Sequence, residues 1–303
     1  MKHLAEAFQA ATPDVLAWLA SEATRGCSRA DMFTALCQAG WHARSAAQMM
    51  ALTPEERTAW GVPADVEADA EADAEADVFP AAVPVPRPMY QPTDAGTWVV
   101  DGGDRTVAVL QRIDVPAVAV FADLLSAEEC DALIDAARPR LSASLTVDTQ
   151  TGGEALHPDR TSQGMFFSRG ENPLVARLEA RMATLLGWPI ENGEGLQILR
   201  YPPGAQYRPH YDYFDPGEPG TPAILQRGGQ RVATLIIYLF EPEGGGATVF
   251  PDIALRVAPK RGNAVFFSYG QPHPASLSLH GGDPVTKGEK WIATKWLRER
   301  EFQ

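Results

Sequence analysis

The sequence predicts an α+β protein: a small all-α unit, an acidic and proline-rich linker, and a strand-rich domain of sandwich or jelly-roll type with flanking helices. Three observations carry this expectation. Apolar residues recur at helical spacing through the first sixty or so positions. A run of alternating acids, "ADVEADAEADAEADV", then gives way to "FPAAVPVPRPMYQP". From about residue 97 the apolar runs are short and bounded by Gly and Pro, with two helical segments among them.

The expected elements follow in chain order, the all-α unit covering 1–61. Leu16, Leu19 and Ala20 mark a first helix, and Ser28 caps a second that carries Met32, Phe33, Leu36 and Cys37 and stops at Gly40. "HARSAAQMMAL" supplies a third helix, and "TPEERTAWG" a short last one with Pro54 in its first turn. Trp18, Trp41 and Met49 are the expected filling, and a protein-docking role is the expected use of the unit. Residues 62–95 read as linker, because prolines remove backbone donors and hold the chain extended. In 96–303, "TWVVDGG" and "VAVLQRI" read as a hairpin. Ser126 with Glu129 three positions on forms a capping box, and Asn172-Pro173 opens a helix that ends at Gly187. "LQILRY", "RVATLIIYLF", "ATVF", "NAVFFSYG" and "KWIATKWLRE" read as strands.

Composition bounds the function. A chain of 303 residues that is 45% hydrophobic and 21% charged builds a real core. The net charge of −13 excludes a nucleic-acid partner, and about half of it sits in the acidic run, read as a solvated spacer. No long apolar run predicts a membrane span or a signal peptide. Cys27, Cys37 and Cys130 lack CxxC spacing and suit reduced thiols, so a cytoplasmic location is expected.

Chemistry concentrates in "YRPHYDYF" and "SLSLHGGDPVTKGEKWIATKW". His210 and Asp212, two apart in an aromatic strand, project to one side. His280 follows an alternating Ser/Leu run, and Lys290 opens a strand ten residues later. Two histidines and a carboxylate on a β-scaffold form the facial triad that holds non-haem Fe(II) with three positions open. A 2-oxo acid takes two of those positions and dioxygen the third. Lys290 suits the cosubstrate's far carboxylate, and Tyr201 is placed to donate its hydroxyl there. His273 in "GQPHPAS" competes as third ligand, but its prolines mark a loop and it lacks the spacing to Lys290. His157 falls in an expected mobile loop, and His3 and His42 are expected to face solvent. Gly244, Gly245 and Gly246 precede no helix start with Lys and Ser/Thr, so they read as a turn and not a phosphate cradle.

The segment from about 115 to 298 resembles the prolyl 4-hydroxylase family of Fe(II)/2-oxoglutarate dioxygenases, in "RTSQGMFF", "EGLQILRYPPGAQYRPHYDYF", "RVATLIIYL", "GGATVFP", "GNAVFFS" and "LHGGDPVTKGEKWIATKW". The resemblance implies a double-stranded β-helix core. It implies His210, Asp212 and His280 as iron ligands, and Lys290, Tyr201 and Thr234 for 2-oxoglutarate. Substrate contacts implied are Arg160, Ser162, Glu194, Tyr207 and Trp296. The implied reaction decarboxylates 2-oxoglutarate to succinate and CO2, consumes O2 and hydroxylates a prolyl residue of a protein or peptide, with L-ascorbate keeping the iron reduced. Arg298, where family members acting on proline-rich peptides carry histidine, and Ala247, where an acid is usual, are departures. A free amino acid or small metabolite is the alternative substrate, and a non-catalytic jelly-roll binding module the alternative class.

Overall fold

The computed structural model describes residues 13–38, 46–47, 50, 52–60, 82–143, 145–147, 154–156 and 161–303. The chain divides into two compact units, Met1–Val78 and Phe79–Gln303. Among the described residues no helix is long and apolar enough to cross a membrane.

In the first unit, α1 (Pro13–Thr24), α2 (Arg29–Gln38) and α3 (Pro54–Ala59) are helical. Ser28 accepts the Asp31 backbone N–H at 3.1 Å, the expected cap of α2. Thr53 and Glu56 close a capping box around α3, with Pro54 in its first turn. Met32, Phe33, Leu36, Ala46, Ala47, Met50 and Leu52 form the core of this unit, with Trp60 packed against it. The expected core residues Trp41 and Met49, the end of α2 at Gly40 and most of the third helix lie outside the described residues, as do His3, His42 and His157.

The second unit is built on a ten-stranded sheet. Its first half runs β1 (Gln91–Pro92), β2 (Trp98–Asp101), β3 (Thr106–Ile113), β4 (Ala117–Ala122) and β15 (Ala264–Ser268). It continues through β11 (Arg231–Phe240), β18 (Lys290–Arg298), β9 (Leu196–Tyr201), β8 (Gln163–Phe167) and β5 (Ser142–Ala143). A four-stranded sheet orders β10 (Tyr207–His210), β16 (His280–Gly282), β13 (Thr248–Phe250) and β14 (Leu255–Val257). Two small pairs join β12 (Gly244–Gly245) to β17 (Val285–Lys287) and β6 (Leu145–Val147) to β7 (Glu154–Leu156).

The apolar run of β11 shows why the layers form. Ala233, Leu235, Ile237 and Leu239 join one core with Leu133 of α4 (Ala127–Ala137) and Leu178, Met182 and Leu185 of α5 (Pro173–Leu186). Ile236 and Tyr238, on the opposite face, join a second core with Phe250 and Val257 of the four-stranded sheet. A strand covered on both faces reads as continuously apolar, and the row facing the smaller sheet is the one that reaches the site. Both helices start where expected, and α5 also stops there: Ser126 and Glu129 box α4, Asn172 caps α5, and Gly187 ends it in the left-handed region.

The 82–95 part of the expected 62–95 linker is not a free tether. Residues 82–95 belong with the strand-rich unit: Val83 donates to the Gly270 carbonyl at 2.8 Å, and Arg87 to that of Leu186 at 3.1 Å. Val83, Val85 and Tyr90 pack against the first core, and β1 pairs with β2. Prolines hold this segment extended, but apolar residues between them give it a surface to bury. Composition alone does not separate such a strap from a tether. A further strand, β4, precedes α4 and pairs with β15 inside the main sheet.

Candidate metal centre and cosubstrate cleft

His210 closes β10 and stands directly opposite His280, the first residue of β16. Asp212 lies just past the end of β10, and one ligand atom from each of the three falls within 4.8 Å of the others. His210 Nδ1 lies 2.9 Å from the Arg208 carbonyl and His280 Nδ1 3.0 Å from that of Ser278. A carbonyl oxygen only accepts, so both Nδ1 atoms carry the proton and both Nε2 atoms are left as lone pairs. Those lone pairs face Asp212, 3.6 Å from Oδ1 and 3.4 Å from Oδ2. Three electron-pair donors thus converge with no hydrogen between them. The arrangement is repulsive until a cation sits at its centre, and two nitrogens plus one oxygen with an open side is the donor set of a non-haem iron site.

Burial sets the protonation states. It pulls the His280 pKa down to about 4, against the opposing pull of Asp212, so the ring is neutral at pH 7. Burial would lift Asp212, but the Arg231 guanidinium, and the His280 and His210 rings whenever they carry a second proton, hold the carboxyl well below its usual range. Thr234 donates to Asp212 Oδ2 at 2.7 Å and lies 2.8 Å from the Tyr269 hydroxyl. Thr234, expected at 2-oxoglutarate, is placed by the structure on Asp212, where its hydroxyl aims the carboxylate. Replacing it, Thr234→Val, should weaken Fe(II) binding by about 10- to 100-fold, as loss of an outer-shell partner does. Anaerobic metal titration checks this, and unchanged affinity would remove the aiming role.

Tyr201, Tyr207, Thr248, Lys290, Ile292, Thr294 and Trp296 line one cleft with the three ligands. Lys290 opens β18 opposite Tyr201, the last residue of β9. Lys290 is 3% exposed, and its ammonium donates to the Gly246 carbonyl at 2.7 Å. Gly246 sits at φ +73, and a Cβ there would come within 3.2 Å of the Lys290 side chain, so glycine is what lets that carbonyl turn inward. Burial pulls the Lys290 pKa down to about 8, only partly offset by Asp283. Among the described residues no carboxylate pairs with this ammonium. A buried cation without its anion, at the end of a cleft that leads to three metal donors, fits the far carboxylate of a bound dicarboxylate.

The expected substrate contacts divide. Tyr207 lines the cleft, its ring stacked on His210 at 3.7 Å, and Trp296 lines it under the Arg231 guanidinium at 4.0 Å. Glu194 does not: both its oxygens are held by Arg231, at 2.7 and 2.9 Å. Ser162 is buried away from the lining, and Arg160 lies outside the described residues. His273 caps a single turn of 3-10 helix, as the loop reading expects, and is not among the clustered ligands. Sequence reasoning missed Thr248, whose Oγ1 accepts from Tyr238 in the cleft wall, and Arg231. The alternation of "GGATVF" was the available signal for the first.

Comparisons with known proteins fall on the same stretch of the chain. The family model described as the 2OG-Fe(II) oxygenase superfamily matches residues 196–298, the stretch that carries all three ligands and Lys290. Prolyl 4-hydroxylase 5 of Arabidopsis thaliana is 40% identical over 223 residues, 66% of this chain and 74% of that protein. Prolyl 4-hydroxylase 1 of the same plant is 42% identical over 204 residues, 61% of this chain and 70% of that protein. Among solved structures, the viral collagen prolyl hydroxylase of Paramecium bursaria chlorella virus-1, in complex with 2OG, is 32% identical. It aligns with a TM-score of 0.47 over 60% of this chain and 95% of that one. With the paired histidines, the buried carboxylate and the lone lysine in one antiparallel cleft, and with plant relatives matched over most of their length, this chain belongs to the prolyl 4-hydroxylase family of 2OG-Fe(II) dioxygenases.

Proposed function

We propose that this dioxygenase hydroxylates a prolyl residue within a protein or peptide. His210, Asp212 and His280 hold Fe(II), and Lys290, Tyr201 and Thr248 cradle the far carboxylate of 2-oxoglutarate. The convergence of two Nε2 lone pairs and a carboxylate within 4.8 Å carries the reading. Bound there, the iron supplies the dioxygen chemistry that couples decarboxylation of 2-oxoglutarate to hydroxylation.

The chain's own part is positioning. The two carbonyl-anchored rings and the Thr234 hydroxyl fix the donor directions before metal arrives. Lys290 orients the cosubstrate from the opposite end, and Leu199, Ile236 and Ile292 keep water from its chain. Tyr207 and Trp296 offer flat apolar walls that suit a pyrrolidine ring. Ascorbate completes the proposal as the reductant that restores iron oxidised in turnovers that miss the substrate.

Incubation with Fe(II), 2-oxoglutarate, ascorbate and heavy dioxygen in a cell extract tests the substrate. Heavy oxygen on prolyl residues of a protein or peptide is the expected result. Label confined to small molecules would overturn the prolyl reading and make this an oxygenase of metabolites.

A further inference from the structure

The row of β18 that faces the cleft reads Lys290, Ile292, Thr294, Trp296, each two residues from the last. Arg298 is the next member of that row and is 1% exposed. Its direct cross-strand partner is a second arginine, Arg231. Like charges opposite each other repel, and among the described residues the carboxylate that ion-pairs with both is that of Glu194. Glu194 gives both oxygens to Arg231. Arg298 Nη1 comes no nearer than 3.5 Å to Glu194 Oε1, and without hydrogen-bond geometry.

The head of Arg298 is nevertheless held in place. Its Nη2 donates to the carbonyls of Ile224 at 3.0 Å and Arg227 at 3.1 Å. Its Nε and Nη1 are buried with no acceptor among the described residues, and so is Nε1 of Trp296 on the same row. Burial and the neighbouring Arg231 pull the Arg298 pKa down to about 10, with Glu194 opposing them. Two arginines therefore share one carboxylate, and three donors are left over: Nε and Nη1 of Arg298, and Nε1 of Trp296, which lines the cleft one place earlier in the same row. A buried donor without a partner is destabilising, and an uncompensated buried charge more so. A neutral carbonyl would satisfy a donor but not the charge.

We infer that Arg298, with the Trp296 indole N–H, forms a subsite for a carboxylate of the substrate, so that this enzyme selects prolyl residues close to a negative charge. The inference rests on the prolyl reading above. The carboxylate has two possible sources, an acidic side chain beside the target proline or the C-terminus of a peptide. Both present the same chemistry to the same donors.

The test uses the full chain, kept anaerobic with Fe(II) and 2-oxoglutarate bound, and blocked peptides with one prolyl residue. One set carries Glu at successive positions around the proline, a second carries Gln instead, and a third is neutral but ends in a free carboxylate. Calorimetry should show at least one acid-bearing peptide bound about 10- to 100-fold tighter than its neutral counterpart, the range for a hydrogen bond to a charged group. Preference within the first set identifies a side chain, and preference for the third a C-terminus. Arg298→Gln should erase the preference and Arg298→Lys should keep part of it, while 2-oxoglutarate binding at the Lys290 end reports that the variants fold.

Equal binding of acidic and neutral peptides by the unaltered enzyme overturns the subsite, whether or not any variant folds. A preference that survives Arg298→Gln also overturns it. If no prolyl peptide binds but free L-proline does so in an Arg298-dependent way, the subsite stands and the peptide reading falls. If neither peptide nor free amino acid depends on Arg298, the subsite falls.

Discussion

Asp212→Ala should abolish iron-dependent succinate formation. Loss of an outer-shell partner already lowers metal affinity by about 10- to 100-fold, and Asp212 would be a direct ligand, so a fall of at least about 100-fold is expected. Without its carboxylate the site keeps two imidazole rings, centroids 4.4 Å apart and tilted, and loses the anionic ligand that holds a divalent cation. The protein itself should fold, because the surrounding sheets draw on cores that do not include Asp212. Succinate measured with and without added Fe(II), beside a circular dichroism spectrum, separates the two effects. Unchanged succinate output from a folded Asp212→Ala protein would remove these residues as the iron ligands.

Lys290→Met should act in opposite directions on binding and on stability. The apolar side chain takes away the cation proposed for the 2-oxoglutarate carboxylate. Leaving one partner of a buried charge pair alone costs about 3–5 kcal/mol, so the KM for 2-oxoglutarate should rise about 100-fold or more. The unliganded protein should hold its stability or gain some, because a buried ammonium with no carboxylate beside it is replaced by a methionine of similar length. A lowered melting temperature with an unchanged KM would contradict both halves. The pH dependence has a definite sign as well. The free-protein Lys290 pKa is about 8 against the ordinary 10.5, so above pH 8 the folded state gives up a proton that the unfolded chain retains. Stability from this group therefore rises between about pH 8 and 10.5, while 2-oxoglutarate affinity falls about tenfold per unit above pH 8.

The same features explain how much was legible in the residues alone. The clustered triad was, because His210 and Asp212 lie two apart where an aromatic run ends and because His280 and Lys290 keep a fixed spacing. The helices α4 and α5 were, since each begins with a side-chain cap that works locally. Thr234 and Thr248 were not separable, for both lie in apolar strands with inward hydroxyls. Only the meeting of two sheets decides that one aims Asp212 and the other lines the cleft. Glu194 read as a substrate contact because nothing near it in sequence reveals Arg231, which reaches it from another strand. Arg298 stood out as a departure, but its burial opposite Arg231 follows from the register of β11 on β18, which no local pattern fixes. The short strands β10, β16 and β17 are three or four residues long, too brief for alternation to announce them.

Anaerobic calorimetric titration of the full chain with Fe(II), with 2-oxoglutarate present and absent, tests the central claim most directly. One equivalent of iron should bind, more tightly with 2-oxoglutarate present, and binding should be lost in Asp212→Ala. In Lys290→Met the iron should still bind but the tightening by 2-oxoglutarate should disappear. Iron binding that ignores Asp212, or 2-oxoglutarate coupling that ignores Lys290, would contradict the assignment of this cleft.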